Sequence, residues 1–294
     1  MVESLRRLLG ECIDFSGLTG PDELPVAEAL ARYLRYRAQA ENWILSRFVC
    51  PAKKLRELAQ NLEATTVETP FPVTVLGQHT SNVAEWEAEL AASATAMNDF
   101  DGATGDLIEV AAFEIRPPPS LRAEHVLRDL NGFSEVDVFV ETALGGDHEA
   151  LFTAIADSEW AFLKADLSRP TKPDSFAVAK LVHEALALEL PFKVVLGKGR
   201  TITNSSEYGL INLFGAVAVG LAEDLSTREL EAILNDGEWT HWRFDRQSIS
   251  FHGWEADEDT IDQARDFLLE AQCGSVECAI DDLSSLGFAV REGA

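Results

Sequence analysis

The sequence predicts an α/β fold of the TIM type, a (β/α) barrel with room for irregularity. Three observations carry this. Short apolar runs alternate with amphipathic stretches six times between residues 44 and 221. A further strand-like run at 242–251 and a helix-like stretch at 257–270 extend the series toward a closed barrel. No Gly-x-Gly-x-x-Gly follows an early run, which removes the main support for a doubly wound dinucleotide fold.

Taken in order, residues 24–40 carry apolar residues at helical spacing after Pro21-Asp22 and read as an amphipathic helix. Strand-like 44–49 is followed by helix-like 53–62, and strand 72–76 by helix 82–97. Strand 107–115 precedes helix 120–130; Pro117-Pro118-Pro119 between them is a stiff βα loop and not a domain boundary. Strand 136–142 leads to helix 148–156, strand 160–167 to helix 174–188, and strand 192–196 to the apolar helix 208–221. Short apolar runs separated by helices are what a parallel sheet covered on its outer face requires.

The 294 residues, 46% hydrophobic, suffice for one large barrel spanning 1–294, with an N-terminal helix 24–40 and a C-terminal strand–helix attachment 239–294. The helix and the segment 239–254 are expected to cover barrel ends or to form a homodimer contact. The formal net charge of −26 repels phosphate backbones, so neither nucleic acid nor an anionic membrane is an expected partner. No apolar run approaches the roughly 18 residues of a membrane span. The opening MVESLRRLLG lacks a signal core, so the expected compartment is cytoplasmic. Cys12, Cys50, Cys273 and Cys278 read as ordinary reduced thiols, since the one close pair, C-x4-C, has no metal-binding companion nearby.

In parallel α/β folds the site lies at the carboxyl ends of the strands, so polar residues in or after apolar runs are the informative ones. Arg47 lies in the first run, Glu114 and Arg116 end the third, and Glu141 ends the fourth. Lys164 and Asp166, two apart and therefore on one face, lie in the fifth, and Lys193 lies in the sixth. A buried charge is costly unless paired, so these groups form either a structural ion-pair layer or a charged site at the barrel mouth. Residues 160–200 hold seven basic and four acidic residues, a local +3 within an acidic chain. Gly197-Lys198-Gly199-Arg200 follows a strand and resembles a weak anion cradle. The expected ligand is a small anionic molecule, a carboxylate or a phosphate.

Two chemistries fit. A desolvated Lys193, with Lys164 beside it, could attack a carbonyl substrate, with Asp166 or Glu141 as acid/base. Alternatively Glu114, Glu141 and Asp166 could hold magnesium; no other cofactor is expected. The histidines at 79, 125, 148, 183, 241 and 252 are dispersed and have no metal spacing on one element. Asn204, Ser205 and Ser206 read as the cap before the helix at 208. The acidic stretch 255–262 reads as a helix N-terminus.

Several segments together resemble a family of uncharacterised bacterial proteins. Ile13-Asp14-Phe15-Ser16-Gly17-Leu18 resembles its DYAGLFPP stretch, and residues 43–51, WILSRFVCP, resemble its W-x-LGRFVVP stretch. Phe192-Lys193 with Gly197 resembles PFKATAGLHHP, Tyr208 to Leu213 resembles HGFLN, and residues 274–287 resemble the family's GSCSF-EP-DL-LG ending. The match runs through nearly the whole chain in the same order, and Lys164, Lys193 and Asn212 fall on family positions. The resemblance implies a shared fold and no particular reaction. Where the family has paired histidines, this chain has Lys198-Gly199-Arg200 or nearby residues. A catalytically inactive relative that binds a ligand or acts as a scaffold is therefore a further expectation.

Overall fold

The computed structural model describes residues 2–288 apart from 21, 68, 146–148 and 170. Pro21, His148 and residues 289–294 of the segment 239–294 accordingly lie outside the described residues. Eight parallel strands close into a barrel: β1 (Ile13–Phe15), β2 (Leu45–Pro51), β3 (Phe71–Leu76), β4 (Ile108–Ile115), β5 (Asp137–Thr142), β6 (Ala161–Asp166), β7 (Phe192–Val195) and, last in the chain, β11 (Leu268–Cys273). Closure comes from β1 and β11, which pair in register from Ile13↔Ala271 to Phe15↔Cys273. The fold is therefore a TIM-type α/β barrel.

Helices α2 (Val26–Arg37), α3 (Leu55–Glu63), α4 (Val83–Thr104), α5 (Ala123–Leu130), α6 (Glu149–Ala156) and α7 (Ser175–Ala187) each connect one strand to the next. The step from β7 to β11 is longer. It holds α8 (Leu210–Glu223), α9 (Thr227–Asn235), an antiparallel sheet of β8 (Trp242–Phe244), β9 (Ser248–Phe251) and β10 (Trp254–Asp257), and α10 (Glu258–Phe267). Helix α1 (Glu3–Leu9) precedes the barrel and joins this insertion through Ser4 Oγ, which donates to the Asp245 carbonyl at 2.6 Å. Helix α11 (Val276–Ser285) follows β11. No described helix is long and apolar enough to cross a membrane.

The strand expected at 242–251 is thus two antiparallel strands outside the barrel. The eighth barrel strand is β11, which the sequence reading placed at the end of a helix. It follows α10 without a loop, so helical spacing runs on into it. Strand β1 has three residues, too few for a periodicity signal, and Asp14 interrupts its apolar character. Helix α2 belongs to the ring of crossover helices, because β1 precedes it.

The apolar core lies between the outer faces of the strands and the helices. Phe15 and Phe48 point outward from β1 and β2 and pack with Tyr33 and Tyr36 of α2, with ring centroids 5.2–6.3 Å apart. The β8 ring of Trp242 packs on α8 where Gly215 leaves room, since a Cβ there would stand 2.2 Å from the indole. Asp257 caps α10 by accepting from the Thr260 N–H, in line with a helix start in the acidic stretch. Asn204 instead caps a turn, accepting from the Ser206 and Glu207 N–H groups, and α8 begins later with Gly209 at its N-cap.

Candidate functional site

A TIM barrel is usually filled by branched apolar side chains. This one carries a layer of paired charges in its lumen. Alternation along each strand turns Asp14 of β1, Glu114 of β4, Glu141 of β5, Lys164 of β6, Lys193 of β7 and Glu270 of β11 toward the lumen. Asp14, Glu114 and Lys193 are fully buried. Glu141 is the register partner of Lys164, and Lys164 of Lys193, so the three stand at one level.

The pairing is dense. Glu114 Oε1 lies 2.6 Å from Lys193 Nζ, and its Oε2 lies 2.7 Å from Lys164 Nζ. Lys193 also pairs with Asp14, 179 residues away in sequence. Lys164 reaches Glu141 at 3.2 Å, and Arg116 approaches the other oxygen of Glu141 at 3.6 Å. Below this level Lys193 Nζ stands 4.7 Å from the centre of the Phe139 ring, which packs on Phe162 at 5.4 Å.

These contacts set the protonation states. Burial pushes the Glu114 carboxyl up, but Lys164 and Lys193 outweigh it and hold the group down at about 2. Burial lowers both lysines, and the carboxylates around them raise each above its ordinary value. Glu270 is the odd carboxylate. Burial first and Asp14 second push it up to about 7, against the pull of Lys193 and Arg47. Its Oε2 has no hydrogen-bond partner among the described residues.

A cavity of about 900 Å³ opens above this network at the carboxyl ends of the strands. Seven of the eight strands or the loops after them line it. Lys164, Glu141, Asp166, Arg116, Lys198 and Gln272 are in its wall, as are Arg32, His79 and Cys278. Asp166 Oδ1 accepts from the Ser168 N–H and hydroxyl at 2.9 and 2.6 Å. Gln272 is buried, and its Oε1 lacks a partner among the described residues.

The structure divides the residues singled out from sequence. Lys164, Asp166, Glu141 and Lys198 reach the cavity. Lys193 and Glu114 lie sealed beneath it. Arg47 departs from its expected place among the ligand-binding groups. It sits toward the amino ends of the strands, 2.8 Å from Asp137 at the start of β5 and 3.5 Å from Glu270. Asn212 also lies elsewhere. It is fully buried at the start of α8, where it accepts from the Thr203 N–H and donates to the Ile233 and Asp236 carbonyls. The Gly-Lys-Gly loop does cradle a carboxylate, but one of the chain's own: the Lys198 N–H donates to Glu207 at 2.9 Å. Arg200 lies outside the cavity, paired with Asp282 at 2.9 Å.

Sequence reasoning missed Asp14 and Glu270 in the lumen and Arg32, His79, Gln272 and Cys278 in the cavity wall. Asp14 and Glu270 lie on the two strands it did not recognise. His79 stands in the loop after β3, where no local pattern distinguishes it. No family model matches the chain, and no curated protein matches it.

Proposed function

We propose that the protein binds a small anionic molecule, bearing a carboxylate or a phosphate, in the barrel mouth. Arg116 and Lys164 are its ion-pairing groups, and Glu141 between them is the group placed to move a proton. The observation that carries this is the charge of the cavity wall. Arg32, Arg116, Lys164 and Lys198 face Asp22, Glu141 and Asp166 there, in a chain whose net charge is −26. Focusing of the field in a cleft of this kind draws anions against the overall repulsion. A ligand anion can take over Arg116 from its 3.6 Å contact with Glu141.

Lysine in this reading is a fixed charge and a hydrogen-bond donor. Schiff-base formation needs an unprotonated amine, and the carboxylates around Lys164 and Lys193 favour the ammonium. A carbonyl oxygen in the cavity would be polarised by Lys164 and not attacked by it. The magnesium alternative loses support on similar grounds: both oxygens of Glu114 face lysines, and Lys164 stands between Glu114 and Glu141 where a cation would have to sit. The chain is read as a divergent member of the uncharacterised bacterial family it resembles. Binding without turnover is the second reading, favoured because Glu141 already shares its charge with both Arg116 and Lys164.

A panel of organic acids and sugar phosphates, screened by thermal shift and then calorimetry, tests the proposal. Loss of one charge-assisted contact costs about 1.5–3 kcal/mol, so Arg116→Ala should weaken a hit roughly tenfold or more. Undiminished affinity in both Arg116→Ala and Lys164→Met would sink the assignment. Ligand decay followed by NMR separates an enzyme from a binding protein.

A further inference from the structure

Outside the barrel mouth, three metal-ligating side chains converge that no sequence spacing connects. Asp236 ends α9, His241 closes the 3-10 turn Trp239–His241, and His252 lies in the turn between β9 and β10. Asp236 Oδ2 lies 2.8 Å from His241 Nδ1 and 3.8 Å from His252 Nε2. One ligand atom from each residue lies within 4.8 Å of the other two. Ligand atoms bound to one ion at about 2.0–2.2 Å stand roughly 3–3.5 Å apart, and the observed separations bracket that range.

The surroundings hold these groups in place. Asp236 Oδ1 accepts from the Glu238 N–H at 2.7 Å, which leaves Oδ2 facing the imidazoles. The Asp236 carbonyl accepts from the buried Asn212 amide at 2.9 Å. The Phe251 ring meets both imidazoles edge-on, at 6.4 Å from His241 and 4.6 Å from His252. The two imidazole centroids are themselves 4.2 Å apart. His252 holds a left-handed backbone with φ of 49°, a conformation uncommon outside glycine but one in which histidine is enriched.

We propose that Asp236, His241 and His252 bind a divalent first-row transition ion of the zinc class. Imidazole nitrogens suit such ions and not magnesium or calcium, which prefer all-oxygen sites. Three protein ligands leave at least one position to water, and the half-exposed imidazoles leave that side open. On binding, His241 Nδ1 exchanges its hydrogen bond with Asp236 for the metal, and any proton it carries passes to solvent. The ion ties the β9–β10 turn to the end of α9. None of the three residues lines the mouth cavity, so the site stands apart from the proposed anion site.

Untagged protein stripped with chelator and titrated calorimetrically with zinc chloride tests this, with magnesium chloride in parallel. The expected result is one equivalent of zinc, no magnesium, and a rise in Tm with zinc alone. His252→Ala, on an exposed turn, should keep the apo Tm and circular dichroism while weakening zinc at least tenfold. Asp236→Asn should do the same, and Cys278→Ser should leave binding unchanged. Full-strength zinc binding by a folded His241→Ala/His252→Ala double variant would overturn the proposal, as would absence of stoichiometric binding in the wild type.

Discussion

Lys164 and Lys193 are direct register partners on neighbouring barrel strands, and Glu114 keeps their charges compatible by facing one with each oxygen. Two ammonium groups side by side in a closed lumen repel, and burial alone would drive a proton from one of them. The carboxylate between them, with Asp14 and Glu141 on the flanks, reverses that outcome. The lumen is consequently a fixed electrostatic scaffold, and the cavity above it inherits its orientation.

Removal of Glu114 should leave two buried cations short of a partner. Breaking a buried ion pair from one side costs about 3–5 kcal/mol, and Glu114→Gln should cost at least that much because it serves both lysines. Equilibrium urea unfolding checks this. A loss below about 1 kcal/mol would show that the lumen is better hydrated than the burial of Glu114 indicates.

Two lumen carboxylates should shape the pH dependence of stability in opposite directions. Glu114 is held at about 2 against an ordinary 4.5, so its contribution is fully present above about 4.5 and is lost as the pH falls toward 2. Glu270 is pushed up to about 7, so the native state holds an extra proton between about 4.5 and 7. Stability should therefore fall as pH rises through that window and level off above it. Urea midpoints at pH 5 and pH 8 should differ in the wild type, and Glu270→Gln should remove much of the difference. An identical pH dependence in the variant would contradict the assignment.

Covalent trapping should fail. Incubation with pyruvate and borohydride, read by intact mass, should leave Lys164 and Lys193 unmodified at neutral pH, because both are held as ammonium groups. A stable adduct mapped to Lys164 would restore the lysine-nucleophile chemistry that the sequence alone suggested.

The thiols provide an independent probe of the mouth. Cys12, Cys50 and Cys273 are buried, and burial pushes Cys12 and Cys50 up to about 12 and Cys273 well above its ordinary value. Cys278 is half-buried and lines the cavity. Native protein should react with a disulfide reagent at one thiol and denatured protein at four. A ligand seated in the mouth should slow that single reaction, and no slowing by a tight-binding anion would place the anion elsewhere.

The barrel was legible because its cause is local. An apolar run followed by an amphipathic stretch is written in consecutive residues, and six such repeats are enough to require a parallel sheet with helices outside. The lysines at 164 and 193 were legible for the same reason, as charges within short apolar strands. What the sequence by itself determined about this protein is thus its architecture, its acidic surface and the strands that carry lysine into the lumen. Only the tertiary structure decided the rest. Barrel closure brings Asp14 to Lys193 across 179 residues and sends Arg47 toward the opposite end, while the fold of the loop after β7 fills the glycine turn with Glu207. Outside the barrel, the packing of the antiparallel sheet beside the end of α9 sets Asp236, His241 and His252 around one point. Such pairings depend on strand register and on crossover geometry, which no window of neighbouring residues encodes. They fix which charges meet, and therefore which groups remain free to act.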